Sequence, residues 1–432
     1  MEDCTNETLL LGKCYGLPVC GFCYDFGQFH RPSRHYEVYN LVVIGVALPV
    51  LGLLGFFGNS ISAFIYSRKC MRVSLNIYLC ALAMSDITII STSFFLFFLE
   101  SMRKRSAFVS KYFALMAPIM FPLGLTAQTL SVFLTLTAAF DCFILVVGSD
   151  RFRRNICSVR TSKWIVALDV ILSCAFNFPH LFEISVVNCW SIPYEMESYD
   201  VCPTALRQDE TYFTLYYAYG YTIVMAVGPV LILIILNTII VVALRSYSKG
   251  AKVPTITTSD DNNNDGANTP ADDGTKTDVI TLVLVVCLFI SCNILPLSVN
   301  FLELLFNIVN SYLIDLSNLM VVLNSSCNFL IYYAFGRQFR RTLQQYIQQY
   351  FTQNRKKLKI CYETATSVTM QDPNTIVYKT CRKSRSDYNI ANDQHSSVSK
   401  FENRSLASKT HRSLTLPISS KNNTHSVPEI SV

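Results

Sequence analysis

Long apolar stretches separated by polar segments dominate the chain. Seven of them run over residues 41–66, 75–99, 112–147, 164–187, 212–244, 279–302 and 312–335. A helix needs about 20 apolar residues to cross the hydrocarbon core of a bilayer, so each stretch is long enough to span it. The pattern therefore predicts an all-α membrane protein whose seven transmembrane helices form one bundle.

Charge patterning predicts the orientation of that bundle. Basic residues cluster in the connections on one side, at Arg68, Lys69, Arg72, Arg151, Arg153, Arg154, Arg160, Lys163, Arg337, Arg340 and Arg341. By the positive-inside rule this side is cytosolic, although the basic residues within 103–111 oppose the trend. Because the number of spans is odd, the N-terminus is predicted to lie outside the plasma membrane.

The predicted organisation has four parts: an extracellular N-terminal segment at 1–40, the seven-transmembrane domain at 41–336 with a disordered cytosolic loop at 250–277, an amphipathic helix at 337–351 and a cytosolic tail at 352–432. The amphipathic helix is predicted from Phe339, Leu343 and Ile347, which recur at helical spacing beside basic residues and would lie on membrane lipid. The loop and the tail are too polar to bury enough surface to fold alone, so both are predicted to be disordered.

Composition narrows the possible function classes. Of the 432 residues, 51% are hydrophobic and only 15% are charged, whereas a soluble domain has about 25% charged residues. The net charge of +6 does not indicate nucleic-acid binding, because the basic residues lie beside apolar segments. No nucleophile–base or metal-ligand grouping indicates an enzyme.

Polar side chains inside the predicted spans are informative, because such groups need partners within the bundle. Asp86 lies in the middle of the second span. Ser131 in the third span, and Asn324 and Asn328 in the seventh, fall at comparable depth. Asn59 of the first span is a further expected partner. These oxygen atoms could bind a small hard cation such as sodium, or they could join helices by hydrogen bonds without an ion. No other cofactor is indicated.

Six cysteines fall in segments predicted to be extracellular: Cys4, Cys14, Cys20, Cys23, Cys189 and Cys202. An even number of cysteines in an oxidising compartment indicates disulfide bonds, but the spacing does not choose their pairing. Asn6 begins an Asn-Glu-Thr sequon on the same side and is an expected glycosylation site.

Several motifs follow one another along the spans. They are FPLGLTAQT at 121–129, NFPHLFE at 177–183, NILP at 293–296 followed by Asn300 and Glu303, and the polar segment 317–339. Together they resemble the rhodopsin-like G-protein-coupled receptors, and among these the invertebrate FMRFamide-type neuropeptide receptors, over residues 41–350. The resemblance matches these positions to the family's helix landmarks: Asn59, Asp86, Pro229, Pro296, Asn328 and Tyr332.

The resemblance implies a receptor that binds a neuropeptide ending in Arg-Phe-amide and activates a heterotrimeric G protein. The arginine of such a peptide needs acidic partners, for which Glu183, Glu303 and Asp315 are candidates. Each of these carboxylates could instead pair with a neighbouring base or remain solvated. The implied activation switch comprises Asp141, Cys142, Pro296 and Tyr332.

The tail suggests two further partners. Its many serines and threonines could recruit arrestin once they are phosphorylated. The terminal residues Ile430, Ser431 and Val432 could dock in the groove of a PDZ domain by adding a strand.

Two departures from the family pattern bear on function. Asp141-Cys142-Phe143 replaces the usual Asp-Arg-Tyr, which raises the alternative of a receptor that binds its ligand but couples weakly or not at all. Asp150-Arg151-Phe152 follows a loop signal and is predicted to belong to the second cytosolic loop. No cysteine occurs between Cys80 and Cys142, so the family's usual disulfide at the outer end of the third helix cannot form.

A transporter or channel is a remote alternative.

Overall fold

The computed structural model describes residues 17–20, 33–103, 106–248, 270–306 and 308–369. In these residues seven helices are long and apolar enough to span a membrane: α1 (Arg34–Tyr66), α2 (Ser74–Arg103), α3 (Ala107–Val147), α4 (Val159–Phe182), α5 (Glu210–Ser246), α6 (Val279–Leu302) and α7 (Ser311–Phe335). The predicted all-α bundle of seven helices is confirmed. Helical geometry continues to Ser248 after α5 and over Pro270–Phe306 around α6.

A β-hairpin fills the connection between α4 and α5. Its strands, β1 (Ile184–Ser191) and β2 (Met196–Pro203), pair antiparallel. The prediction that the fourth span reaches residue 187 is wrong, because α4 ends at Phe182 and the apolar, β-branched residues that follow form β1 instead. This side of the bundle is called the hairpin end below. The opposite side, where the helix α8 (Arg337–Thr369) follows α7, is called the α8 end.

The hairpin is tied to the N-terminal segment. A disulfide bond joins Cys20 to Cys189. The backbone N–H of Cys20 donates to the carbonyl oxygen of Trp190 at 3.0 Å, and the N–H of Trp190 donates to Pro18 at 2.8 Å. Cys202 is also disulfide-bonded, so a bond between Cys189 and Cys202 does not form. The other extracellular candidates lie outside the described residues: Cys4, Cys14, Cys23 and Asn6.

Within the described residues three helices contain π-helical stretches, at Leu41–Ala47 in α1, Phe94–Leu99 in α2 and Phe213–Val227 in α5. Each stretch lies in the half of its helix that is nearer the hairpin end. Turns of π-helix are rare and are frequently found at functional sites. We therefore expect a binding site at the hairpin end.

The main hydrophobic core lies in the half of the bundle nearer the α8 end. Leu134 of α3 and Tyr332 of α7 are fully buried there. The next helix, α8 (Arg337–Thr369), joins this core through Phe339. The ring of Phe339 lies 5.3 Å from that of Tyr66 and 6.0 Å from that of Tyr332.

Helices α1 and α7 approach each other closely because α1 presents glycines. A Cβ atom on Gly58 would lie 2.8 Å from the side chain of Phe329, and one on Gly55 would overlap with Ser326. Small residues allow two membrane helices to bring their backbones together. This contact places the backbone of α7 within reach of the polar residues of α1.

Two predicted segment boundaries differ from the structure. Helix α8 continues to Thr369, beyond the predicted end at 351, and the helix that contains α6 begins at Pro270, inside the predicted loop. Proline at the first position and acidic residues in the first turn favour a helix start, a signal that the polar composition of the loop obscured. The chain divides into two units, Met1–Lys359 and Ile360–Val432. Of the second unit, residues 360–369 are described, as helix.

Candidate functional site

The polar residues predicted within the spans include a buried pair centred on Asp86 of α2. Asp86 is fully buried, and Nδ2 of Asn328 in α7 donates to its Oδ2 at 2.7 Å. Among the described residues, no cationic side chain forms an ion pair with this carboxylate. Its Oδ1 atom has no hydrogen-bond partner there either. A carboxylate so placed needs a counter-ion, a proton or water.

The expected hydrogen bond between Asn59 and Asp86 does not form in the described residues. Nδ2 of Asn59 donates to the carbonyl oxygen of Ser325 in α7 at 2.7 Å and to that of Gly55 at 3.0 Å. The glycine-mediated approach of α1 to α7 brings the backbone of α7 within hydrogen-bond distance of Asn59. Asn59 therefore joins α1 to α7.

Oxygen atoms of the kind that a small hard cation takes as ligands are left without partners on α2 and α7. The Oδ1 atoms of Asp86, Asn324 and Asn328 are all buried without a hydrogen-bond partner in the described part of the chain. Carboxylate and amide oxygens are hard ligands, and a cation would offset the unpaired charge of Asp86. Ser131, the fourth predicted member, lies with Asn324 in the wall of an adjacent cavity of about 110 Å³.

A second cluster surrounds Glu183, where α4 passes into β1. Its fully buried carboxylate accepts hydrogen bonds from the hydroxyl groups of Tyr212, at 2.7 Å, and Tyr217, at 2.6 Å. Nη1 of Arg207 lies 3.0 Å from one carboxylate oxygen, and Nδ1 of His180 lies 2.8 Å from the other. Burial alone would raise the pKa of Glu183, but the hydrogen bonds from His180, Tyr217 and Tyr212 lower it to about 2.

Arg207 is the cationic partner of Glu183 in this cluster. Its side chain remains 39% exposed, whereas that of Glu183 is inaccessible. The guanidinium also lies 5.5 Å from the centre of the Phe121 ring and 5.6 Å from that of Tyr217, so cation–π attraction adds to the ion pair. Glu183 therefore pairs with a base of its own chain, one of the alternatives that the sequence left open.

Asp315 lies near the start of α7, also at the hairpin end. Its Oδ2 accepts a hydrogen bond from Nδ2 of Asn40 in α1 at 2.9 Å, and Oδ1 of Asn40 accepts one from Ser101 of α2 at 2.7 Å. Unlike Glu183, Asp315 forms no ion pair within the described residues. The side chain of Glu303, the third acidic candidate, lies outside the described residues.

Asp141 links three helices near the α8 end. The Oγ of Ser74 in α2 lies 2.8 and 2.9 Å from its two carboxylate oxygens, and it is also 2.6 Å from the Oγ of Ser162 in α4. Cys142 is fully buried in the main core. Of the other predicted switch residues, Tyr332 lies in the same core and Pro296 lines the cavity.

Asp150-Arg151-Phe152 does not continue α3. That helix ends at Val147, and a separate short helix, Asp150–Ile156, follows it. Within the short helix, Arg153 pairs with Asp150 at 2.8 Å. This segment therefore belongs to the connection between α3 and α4, as predicted.

Similarity to known proteins decides the family. The family model described as "Serpentine type 7TM GPCR chemoreceptor Srw" matches residues 46–349. The chain belongs to the seven-transmembrane G-protein-coupled receptors. Because this is a family of receptors, the prediction that the protein is not an enzyme is confirmed.

Three relatives refine the comparison. The receptor is 55% identical over 361 residues to "Probable G-protein coupled receptor frpr-1" of Caenorhabditis elegans, covering 80% of this chain and 89% of that one. It is 31% identical over 304 residues to "FMRFamide receptor" of Drosophila melanogaster, covering 69% of this chain and 52% of that one. It is 26% identical over 314 residues to "FMRFamide peptide receptor frpr-18" of C. elegans, covering 70% and 68%.

Sequence reasoning missed most partners of the receptor's acidic residues. Tyr212 and Tyr217 are five residues apart, a spacing that does not place two side chains on one face of an ordinary α-helix. The π-helical stretch that starts at Phe213 brings both hydroxyl groups to Glu183. Nothing in the sequence around Ser74 indicated that its hydroxyl group donates a hydrogen bond to Asp141.

Proposed function

We propose that this receptor binds an amidated, FMRFamide-like neuropeptide at the hairpin end and passes the signal to a heterotrimeric G protein at the α8 end. The observation that carries the proposal is the similarity to two receptors whose names specify FMRFamide. Acidic residues and π-helical turns at the hairpin end support it, because a cationic peptide needs anionic partners.

The test is a functional assay in transfected cells. Cells that express the receptor would be challenged with a panel of amidated peptides while calcium and cAMP are recorded, with mock-transfected cells as the control. We expect responses to peptides that end in Arg-Phe-amide. A receptor that reaches the cell surface and neither binds nor responds to any such peptide would contradict the proposal.

The orientation and class are part of the same proposal. The hairpin end lies outside the plasma membrane, because the bond between Cys20 and Cys189 is of a kind that persists in an oxidising compartment. The landmarks Asp86, Asn328 and Tyr332 support a rhodopsin-like class. An antibody against an N-terminal tag should label intact cells, whereas a C-terminal tag should require permeabilisation.

The acidic candidates differ in what they offer the peptide's arginine. The charge of Glu183 is already balanced by Arg207, so a ligand could reach it only by displacing that side chain. Asp315 is only 8% exposed and accepts a hydrogen bond from Asn40, but its charge is not balanced by an ion pair within the described residues. Asp315→Asn should weaken binding about 10- to 100-fold, the effect of losing one charge-assisted hydrogen bond.

Two controls make this assignment specific. Glu197→Gln, on an exposed position of β2, should leave affinity unchanged. A peptide with glutamine in place of arginine should bind the wild type and Asp315→Asn equally well. If Asp315→Asn weakens both peptides to the same extent, Asp315 acts on the fold and not on the arginine.

A receptor that binds its ligand but couples weakly is the second candidate function. In the wider family the residue that follows this aspartate is an arginine. Here that residue is the buried Cys142, which offers no positive charge to a G protein, and Asp141 accepts a hydrogen bond from Ser74. Binding without a calcium or cAMP response, restored by Cys142→Arg, would favour this function. A full response from the wild type would exclude it.

Regulation completes the proposal. A sodium ion held by Asp86, Asn324, Asn328 and Ser131 would lower the free-energy cost of burying the carboxylate of Asp86. Peptide affinity should then depend on sodium concentration, and Asp86→Asn should abolish that dependence.

Arrestin and a PDZ protein would bind the tail, which lies outside the described residues beyond position 369.

A further inference from the structure

Basic residues from two distant parts of the chain lie together where the connection between α1 and α2 touches the start of α8. They are called the basic patch below: Arg68, Lys69, Arg72, Arg337, Arg340 and Arg341. The two segments are fixed to each other. Nε2 of Gln338 donates to the carbonyl oxygen of Cys70 at 3.3 Å, and the hydroxyl group of Thr342 donates to Sδ of Met71 at 3.5 Å. The bases therefore share one small region at the α8 end.

The basic patch contains no neighbouring acid along the chain. No aspartate or glutamate occurs in residues 38–85 or in residues 333–359. Within the described residues, no acidic side chain forms an ion pair with Arg68, Arg72 or Arg341. The charges of these three arginines are therefore available to an anion from outside the chain.

Arg68 lies at the boundary between the basic patch and the lipid-facing surface. The central carbon of its guanidinium lies 3.6 Å from the centre of the Phe64 ring and 5.1 Å from that of Tyr346 in α8. Phe64 is 46% exposed on a membrane-spanning helix, so lipid covers its outer side. Cation–π attraction to the two rings orients the guanidinium without neutralising its charge. An anion that binds here meets a cation whose position is already fixed.

Helix α8 carries the basic patch along the bilayer surface. Its apolar side chains Ile347 and Tyr350 are exposed. Arg337 and Arg341 are exposed as well, and their spacing of four residues places them on one face of the helix. An amphipathic helix of this kind lies in the membrane interface, with its apolar face in the acyl boundary. The bases of the patch therefore lie at the level of the lipid headgroups.

The chemistry of these side chains favours a headgroup with several phosphates. Arginine binds phosphate through paired N–H groups, because its planar guanidinium matches the phosphate oxygens. A phosphate monoester carries about −1.5 to −2 charge at pH 7. A headgroup with two monoesters thus offers enough charge for several arginines at one place, whereas the headgroup of phosphatidylserine has no phosphate monoester.

We infer that the basic patch binds a phosphoinositide of the inner leaflet, and that Arg68, Arg72 and Arg341 hold its phosphate groups. This lipid partner lies at the opposite end of the bundle from the proposed peptide site. The choice of a phosphoinositide rests on the proposed orientation, because the cytosolic leaflet contains the anionic inositol lipids.

The experiment measures binding of a fluorescent phosphatidylinositol bisphosphate to the full-length receptor in detergent. The unlabelled competitors are the same lipid, phosphatidylserine, and soluble inositol trisphosphate, which presents the phosphates without acyl chains. On the wild type, the phosphoinositide should compete about tenfold or more better than phosphatidylserine. The soluble headgroup should compete less well than the lipid, because it lacks the apolar contacts of the acyl chains.

Substitutions locate the site. Arg68→Gln, Arg72→Gln and Arg341→Gln should each weaken phosphoinositide binding about fivefold, the effect of removing one base from an anionic surface. Arg340 is left intact, because its guanidinium donates to carbonyl oxygens at the end of α7. The matched control is Arg151→Gln, which removes the same charge from an exposed position in the connection between α3 and α4. It should leave the affinity unchanged.

The thermal midpoint of each variant is measured in parallel. Arg72 and Arg341 are exposed, so their substitution tests the inference even if the loss of Arg68 from its two rings impairs folding. Equal competition by phosphatidylserine and the phosphoinositide would overturn the inference, since the patch would then respond to negative charge alone.

Two further results would also overturn it. One is a loss of affinity in Arg151→Gln as large as that in Arg72→Gln, which would deny the patch a special role. The other is competition by soluble inositol trisphosphate as strong as that by the lipid, which would indicate a site for soluble phosphates. None of these measurements uses a peptide, so failure of the lipid site leaves the proposed peptide receptor standing.

Discussion

Replacing Glu183 with glutamine removes one buried charge and leaves the shape of the side chain almost unchanged. The folded receptor holds the pKa of Glu183 at about 2 instead of the usual 4.5. That difference corresponds to about 3 kcal/mol of stabilisation at neutral pH. We expect Glu183→Gln to lower the free energy of unfolding by about the same amount, because Arg207, Tyr212 and His180 would then face a neutral amide. The loss should appear as a lower midpoint of thermal unfolding of the detergent-solubilised receptor.

The pH dependence of this loss identifies the group responsible. Because folding lowers the pKa of Glu183, the stabilisation is complete above pH 4.5 and disappears as the pH falls through about 2. The difference between wild type and variant should therefore stay constant between about pH 8 and about pH 5. Glu197→Gln, on an exposed position of β2, should have no effect. A difference that changes between about pH 8 and about pH 5 would show that another titrating group carries the stabilisation and would refute the reasoning.

Three further perturbations test other contacts. Ser74→Ala removes the hydroxyl group that Asp141 accepts from and should destabilise the receptor by about 1 to 3 kcal/mol; an unchanged thermal midpoint would mean that water replaces the serine. Gly58→Val places side-chain atoms where Phe329 already lies and should cost about 1 to 3 kcal/mol, with normal stability contradicting the close packing of α1 on α7. Cys20→Ser should release the N-terminal segment from the hairpin and weaken peptide binding. Dithiothreitol should weaken binding to the wild type at least as much, because it also reduces the bond of Cys202; an affinity unchanged by Cys20→Ser would contradict a role for this disulfide.

One contact of the candidate site could be predicted from the sequence. A polar residue in an apolar helix must find a partner inside the bundle, so Asp86 and Asn328 were expected to meet, and they do at 2.7 Å. The partner of Asn59 could not be predicted in the same way. Its contact depends on how closely α1 and α7 approach, and the glycines of α1 set that distance.

The seven spans follow from local sequence, because hydropathy over about 20 residues decides whether a helix crosses a bilayer. The surroundings of Glu183 do not. Arg207 and Tyr217 are 24 and 34 residues away along the chain, and they meet the carboxylate only because a hairpin folds back and α5 starts with π-helical turns. Local propensity has no information about such contacts, since helix packing and loop geometry determine which distant side chains share a carboxylate. The charge available to a ligand at the hairpin end is therefore a property of the folded receptor and not of its motifs.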